Sequence, residues 1–168
     1  MGDSGVGKTS LLSRFVFESF DEQNMPTVAA GYKAKIVEVP GTNERVKMNI
    51  WDTAGQEKYR SLGRMYYSGA DAAIIIYDAT YRNSFDSVSV WIDDLRTNIP
   101  NEDTILIAIV GNKSDKAEDL QVMLQEAHEL QRKTKAFIVR ETSAKDNTGV
   151  TELFEEIAKK LISNSNKV

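Results

Sequence analysis

Two uninterrupted apolar runs with a helical segment between them constrain the fold of this chain more than any other feature. The runs are Ala72–Tyr77 and Ile105–Val110, and neither alternates apolar with polar residues as a half-solvated strand would. Both are too short to span a bilayer. Between them, Ser84–Arg96 carries apolar residues at helical spacing. Buried strands connected through helices are typical of an α/β fold, a mostly parallel sheet flanked by helices in three layers.

The remaining segments extend this alternation. A turn at Pro40–Asn43 is expected to join two strands as a hairpin. With a length of 168 residues, we expect 1–168 to form a single domain. The only histidine, His128, lies at the exposed edge of a helix stripe and is expected to be structural. The predicted helices are Lys8–Glu18, Ser84–Arg96, Leu120–Lys133 and Thr151–Ile162, and the strands are Ala34–Val39, Val46–Trp51, Ala72–Tyr77, Ile105–Val110 and Ala136–Val139.

Composition argues against several classes of function. The net charge is −4, whereas a nucleic-acid-binding domain normally carries a basic patch. The chain contains no cysteine, which excludes a disulfide scaffold and a cysteine–zinc site and agrees with a cytosolic compartment. For the same reason, the chain has no prenylation site, so membrane attachment would need a lipidated tail absent from this chain.

A phosphate-binding loop is the strongest functional signal. The residues Gly2–Thr9 match the pattern G-x-x-x-x-G-K-[S/T]. In such a loop, backbone N–H groups converge on phosphate oxygens, and the N-terminus of the following helix adds positive charge. A glycine-rich turn that merely caps a helix would need neither Lys8 nor Thr9. The predicted nucleotide-binding residues here are Asp3, Ser4, Gly5, Val6, Gly7, Lys8, Thr9 and Ser10.

A second motif, Asp52–Gln56, follows a predicted strand. Asp52 would help to hold Mg²⁺, together with the hydroxyls of Thr9 and Thr27, because ligands bind outside the carboxyl ends of parallel strands. Gly55 lets its N–H group approach the γ-phosphate, and Gln56 would orient the attacking water. We therefore assign catalytic roles to Lys8, Thr27, Gly55 and Gln56.

Two further loops are predicted to recognise the base. The Asp115 carboxylate can accept hydrogen bonds from guanine N1–H and the 2-amino group, which adenine does not offer as a pair. The stems of Lys113 and Lys145 can cover the two faces of the base. Each of these short motifs alone is typical of an ordinary polar turn, so the prediction of a base-binding site depends on their order along the chain. The remaining members of this set are Phe20, Asn112, Ser143 and Ala144.

These stretches, in this order, resemble the Ras superfamily of small GTPases over nearly the whole chain. The segment Trp51–Leu62, together with Tyr66–Ala70 and Tyr77–Thr80, is similar to the Rab branch. The resemblance implies a P-loop fold and a switch that hydrolyses GTP to GDP in vesicle trafficking. It also implies Mg²⁺, an exchange factor, a GTPase-activating protein, effectors, a GDP-dissociation inhibitor, a monomeric state and a place at the cytosolic face of an endomembrane. Part of the effector surface would be an aromatic trio of Tyr32, Trp51 and Tyr67.

Four departures from the family pattern are visible. The phosphate loop begins at Gly2, so the strand that normally leads into it is missing or reduced to Met1, and we expect an apolar strand upstream. Ala29 stands where the family has glycine. The hairpin at 41–44 is about three residues longer by comparison with the family pattern. The cysteine-bearing tail is also absent.

Two other functions remain open at this level. A P-loop ATPase or nucleotide kinase would share the phosphate loop but would have no use for the predicted guanine-reading carboxylate of Asp115. An interaction scaffold impaired in nucleotide binding would explain the altered N-terminus, although the three nucleotide motifs are intact. If the chain is a GTPase, no arginine in it matches a catalytic arginine of the family, so intrinsic hydrolysis should be slow.

Overall fold

The structure of the chain is a computed structural model that describes residues 1–22, 27, 30–53, 64–99 and 105–165. Its helices are α1 Lys8–Phe17, α2 Arg82–Asp86, α3 Val88–Asn98, α4 Leu124–Thr134 and α5 Val150–Ser165. Short 3₁₀ turns cover Arg64–Tyr66 and Ala117–Asp119. The strands are β1 Gly31–Glu38, β2 Arg45–Asp52, β3 Ala72–Asp78, β4 Leu106–Asn112 and β5 Ile138–Glu141.

The described strands form two sheets. β1 and β2 pair antiparallel, with Gly31 opposite Asp52 and Glu38 opposite Arg45, through the hairpin predicted at Pro40–Asn43. β3, β4 and β5 form a parallel three-stranded sheet in that order. Because parallel strands run the same way, the carboxyl ends of β3 and β4 meet at one edge, where Asp78 lies opposite Asn112. The predicted α/β class with helices flanking a parallel sheet is confirmed.

Two apolar clusters lie on opposite faces of the parallel sheet. On one face, α1 and α5 pack together through the stacked rings of Phe15 and Phe154, whose centroids are 3.6 Å apart. On the other face, α3 covers the sheet with Trp91, Ile92 and Leu95, all buried. Successive residues of β3 and β4 therefore face one cluster or the other, and both clusters are apolar. This explains why neither run contains a polar residue before the last positions of its strand.

The predicted helix Ser84–Arg96 is divided into α2 and α3. The interruption falls at Ser87, whose hydroxyl donates to the Asn83 carbonyl at 3.0 Å, the same carbonyl that accepts the Ser87 N–H. Serine hydroxyls that bond back four residues compete with the regular ladder and bend helices. The prediction was therefore correct in type and wrong in continuity.

The helix predicted at Leu120–Lys133 begins four residues later. The N–H groups of Gln121 and Val122 both donate to the Ala79 carbonyl, at 2.9 and 3.2 Å, and so cannot enter a helical ladder. Met123 is 64% exposed and Leu124 is 38% exposed, so two apolar residues at helical spacing in this segment do not face the core. A tertiary hydrogen bond of this kind leaves no trace in local periodicity.

A cavity of about 480 Å³ separates the two sheets. Side chains of β2 and β3, including Met48 and Ile74, line it, together with Phe154 of α5. Met1 lies at its end in a parallel register: its ammonium donates to the Ile74 carbonyl at 2.7 Å, and its carbonyl accepts the Ile76 N–H at 2.8 Å. Among the described residues, Met1 is the only one that pairs with this edge of β3.

Candidate functional site: a cavity between the phosphate loop and two strand ends

The phosphate loop turns tightly into α1. Gly7 has φ 94° and Gly2 has φ 135°, values that residues with side chains rarely adopt. A Cβ at Gly7 would also lie 2.3 Å from the Asn112 amide nitrogen, and one at Gly2 would lie 2.1 Å from the Ile76 carbonyl oxygen. Glycine is therefore required twice, by backbone conformation and by close approach. α1 begins at Lys8, which places the helix N-terminus beside the loop.

Lys8 is buried and its ammonium bonds to the loop itself. The Nζ atom donates to the carbonyls of Gly2 and Asp3 at 2.9 and 2.7 Å. Burial lowers the pKa of Lys8 to about 8, against the opposing influence of Asp52 and then Asp3. A buried cation needs partners, and at this position they can be the loop carbonyls or a negatively charged ligand.

Three oxygen-bearing side chains meet at the start of α1. The Thr9 hydroxyl donates to the Asp52 carboxylate at 2.6 Å and lies 2.7 Å from the Thr27 hydroxyl. Asp52 is the last residue of β2 and is buried. Across the described ranges, no group of three or more His, Cys, Asp and Glu side chains gathers as a metal site. One carboxylate and two hydroxyls suit Mg²⁺, which is held through few protein ligands and completes its shell with substrate phosphate and water.

The predicted base-reading loop after β4 is hydrogen-bonded to the phosphate loop. Asn112, which is buried, donates from its amide to the Val6 carbonyl at 3.0 Å, and its side-chain oxygen accepts the Ala144 N–H at 3.2 Å. The Lys113 ammonium donates to the Gly5 carbonyl at 2.8 Å and lies 2.6 Å from the Asp78 carboxylate. These contacts hold the loop from residue 112 against the loop from residue 2.

Asp78 contacts the predicted site through Lys113, and no role was predicted for it from the sequence. Burial would raise its pKa, but hydrogen bonds from Lys113 and Thr80 lower it, so the carboxylate remains charged. Lys113 has φ 67°, unusual for a residue with a side chain, and such strain gathers at functional sites. The position of Asp78 at the end of β3, beside the end of β4, was the available signal.

The second predicted base-reading loop follows β5. The Ser143 hydroxyl donates to the Asp115 carboxylate at 2.7 Å and thereby fixes its orientation. Ser143 and Ala144 are buried, whereas Lys145 is exposed and pairs with Glu22 at 2.9 Å. The free lone pairs of Asp115 remain available for other donors, because a carboxylate has about four acceptor positions.

Most of the predicted site residues line one cavity of about 500 Å³, a volume that suits a small-molecule ligand. Asp3, Val6, Asp52 and Ser143 lie behind its lining and bond to it or pack beneath it. Gly55 and Gln56 fall outside the described residues. The predicted residues in the lining are Ser4, Gly5, Gly7, Lys8, Thr9, Ser10, Phe20, Thr27, Asn112, Lys113, Asp115, Ala144 and Lys145.

The aromatic trio needs one correction. Trp51 lies 5.1 Å from the Tyr32 ring and 4.5 Å from the Tyr66 ring, measured between centroids. Tyr67, the predicted third member, is only 5% exposed and donates its hydroxyl to Asp94 at 3.0 Å. The 3₁₀ turn buries Tyr67 and leaves Tyr66 half-buried beside Trp51, and sequence could not distinguish two adjacent tyrosines. The aromatic trio is therefore Tyr32, Trp51 and Tyr66, of which Tyr32 and Trp51 are exposed.

Comparison with known proteins identifies the family of this chain. The profile of the Ras family matches residues 1–163. The Ras-related protein Rab-31 of Rattus norvegicus is 42% identical over 161 residues, which is 96% of this chain and 80% of the rat protein. The Ras-related protein Rab-22A of Homo sapiens is 43% identical over 163 residues, covering 97% of this chain and 81% of the human protein. The GTP-binding protein ypt4 of Schizosaccharomyces pombe is 39% identical over 164 residues, 96% of this chain and 69% of the yeast protein.

Rab proteins act on endomembranes, and none of the helices within the described part of this chain has the length and apolar character to cross a bilayer. The family profile matches nearly all residues, and the relatives are about 42% identical over most of both chains. Together these matches identify the family. This chain belongs to the Rab branch of the Ras family of small GTPases, and it is a GTP-binding switch that hydrolyses GTP to GDP and regulates vesicle trafficking.

Proposed function

We propose that the cavity of about 500 Å³ holds one guanine nucleotide, with its phosphates at residues 3–10 and its base between Lys113 and Lys145. The observation that carries this proposal is that residues of the phosphate loop and both base-reading loops line the same cavity. The Asn112–Val6 hydrogen bond of 3.0 Å fixes the spacing between the phosphate end and the base end of this cavity.

Asp115 provides the selectivity for guanine in this proposal. Its carboxylate is oriented by Ser143 and accepts hydrogen bonds from guanine N1–H and the 2-amino group. An adenine base would leave the carboxylate desolvated and without donors, which is costly. The Ala144 N–H, whose bond to Asn112 is long at 3.2 Å, is the proposed donor to guanine O6. Phe20 lines the same cavity and is proposed to contact the edge of the base.

At the other end, Lys8 exchanges its carbonyl partners for the β- and γ-phosphates. The two carbonyls that now accept from Nζ hold the ammonium at the loop, so little rearrangement is needed. A phosphate oxygen is a stronger acceptor for a cation than a neutral carbonyl. The backbone N–H groups at the start of α1 complete the phosphate site.

We assign the magnesium site to Thr9, Thr27 and Asp52. Their oxygens already converge within hydrogen-bond distance, and hard oxygen ligands suit Mg²⁺. When bound, Mg²⁺ neutralises charge on the phosphates. Thr9 and Thr27 supply hydroxyl oxygens, and the buried Asp52 supplies the negative charge.

The roles of Gly55 and Gln56 stay predictions, because both residues lie outside the described part of the chain. Gln56 is proposed to position water in line with the γ-phosphate, while Lys8 and the loop N–H groups stabilise the developing charge. An arginine from a GTPase-activating protein is proposed to accelerate hydrolysis about 10³–10⁵-fold.

The remaining partners are proposed from the family. The aromatic trio Tyr32, Trp51 and Tyr66 is the proposed effector surface, since aromatic residues are enriched at protein interfaces and two of these three rings are exposed. An exchange factor, a GDP-dissociation inhibitor and a lipidated tail are proposed to control the membrane cycle.

We also propose that the cavity between the two sheets takes an apolar strand that leads into Gly2. Met1 already pairs in parallel with Ile74 and Ile76, and the more buried side chains of β2 that line the cavity before Asp52 are the apolar Val46, Met48 and Ile50. Such a strand would join both sheets and support the phosphate loop. A longer chain with an apolar segment before Met1 should unfold at a higher temperature than residues 1–168; equal transition temperatures would contradict this part of the proposal.

The nucleotide assignment is tested by competition against a fluorescent GDP analogue. We expect GTP and unlabelled GDP to displace the analogue and ATP to fail at the same concentrations. Effective displacement by ATP would instead support a P-loop ATPase or nucleotide kinase. Failure to bind the analogue at all would support a scaffold impaired in nucleotide binding.

A further inference from the structure

Arg14 lies outside every motif of the nucleotide site, yet its side chain connects α1 to the second base-reading loop. Its Nε atom donates to the Ala144 carbonyl and its Nη2 atom donates to the Lys145 carbonyl, each at 2.8 Å. The Nη1 atom donates to the Glu18 carbonyl at 2.8 Å, close to the C-terminal end of α1. All three contacts use the planar fork of the guanidinium, which a lysine could not reproduce.

From the Lys145 carbonyl, a chain of hydrogen bonds continues to the guanine-reading carboxylate. The amide of the same peptide unit, the Asp146 N–H, donates to the Ser143 hydroxyl at 3.2 Å. Ser143 in turn donates to the Asp115 carboxylate at 2.7 Å. Because a trans peptide is planar, fixing the direction of its carbonyl also fixes the direction of its N–H on the opposite side.

We propose that Arg14 is a positioning residue for base recognition, which acts through the Lys145–Asp146 peptide and Ser143 on Asp115. This inference rests on the proposed guanine site. Arg14 does not line the cavity. Its effect on the base passes through the direction of one peptide unit and the orientation of one hydroxyl. Hydrogen bonds in such a chain polarise one another, so the first bond influences the last.

The alternative is that Arg14 only joins α1 to the loop and contributes to general stability. The two roles predict different changes in affinity for ligands with and without the 2-amino group of the base, which Asp115 is proposed to bind. Inosine diphosphate lacks that group and is otherwise the same ligand as GDP. If Arg14 only stabilises the loop, its loss should weaken both ligands by the same factor. If Arg14 orients Asp115, its loss should weaken GDP more.

The experiment measures dissociation rates and equilibrium constants of GDP and inosine diphosphate for the wild-type chain, Arg14→Ala and Arg14→Lys. For Arg14→Ala we expect GDP to dissociate about tenfold faster and the preference for GDP over inosine diphosphate to fall about threefold, the scale of a lost charge-assisted hydrogen bond transmitted in part. Arg14→Lys should lie between the wild type and Arg14→Ala, because lysine keeps the charge and loses the fork.

Arg96→Ala is the matched control. Arg96 is half-buried and donates to the Thr134 carbonyl, so it also ties a helix to a distant carbonyl, but it lies away from the nucleotide cavity. Its variant should leave both dissociation rates unchanged. The inference is overturned if Arg14→Ala and the wild type show the same ratio of GDP to inosine diphosphate affinity while the wild type binds GDP. If the wild type binds neither ligand, the proposed nucleotide site itself is wrong.

Discussion

The two ends of the nucleotide cavity are built differently. At the predicted base-reading end, the buried Asn112 and Ser143 bond to Val6 and Asp115, and a ligand would not need to break either bond; only the Ala144 N–H would change its acceptor. At the phosphate end, the functional groups bond to one another: Lys8 to loop carbonyls, and Thr9 to Asp52 and Thr27. If the cavity holds the nucleotide as proposed, the scaffold preorganises the Asp115 carboxylate for guanine, whereas the phosphate and metal groups must exchange partners when the ligand binds.

The largest expected effect concerns the phosphate end. Gln56→Leu should abolish most of the hydrolysis that a GTPase-activating protein stimulates, because leucine cannot orient water. The expected loss of stimulated rate is close to the whole stimulation, about 10³–10⁵-fold. Phosphate release in single-turnover assays measures it. The affinity for GTP should be unchanged, and unchanged stimulated turnover would remove Gln56 from the mechanism.

The base-reading end is tested by Asp115→Asn. The amide can donate where the carboxylate only accepts, so GDP affinity should fall about 10³-fold while xanthosine diphosphate, which carries a 2-oxo group, should bind better than it does to the wild type. Isothermal titration of both ligands measures the change. The control is Asp119→Asn, an exposed carboxylate on the neighbouring 3₁₀ turn, which should alter neither affinity.

The smallest of these effects is expected for Trp91→Phe, which probes how the phosphate loop is held in place. The indole N–H of this buried residue donates to the Asp3 carboxylate at 2.7 Å, which anchors the phosphate loop from α3. Phenylalanine preserves much of the packing and removes the donor, so GDP release should accelerate by a factor of about five, the scale of one hydrogen bond. Stopped-flow release of a fluorescent GDP measures it. If release from this variant matches the wild type, the loop does not depend on that anchor.

The sequence predicted those features of the fold and of the candidate site that depend on local patterns of residues. The apolar runs identified β3 and β4, and most of the predicted site residues lie at or just after the ends of strands, or at the start of α1. What sequence missed are contacts between distant segments: Arg14 to Lys145 joins residues 131 apart, and Trp91 to Asp3 joins residues 88 apart. The late start of α4 has the same cause, since the Ala79 carbonyl takes N–H groups that the pattern assigned to the helix.

The most direct test of the account is a crystal structure of the chain with GDP and Mg²⁺. We predict one nucleotide with its β-phosphate against Lys8 and the amides of residues 5–9, the metal beside Thr9, and guanine N1–H and its 2-amino group bonded to Asp115. A nucleotide that touches the phosphate loop while its base lies away from Asp115 would contradict the account.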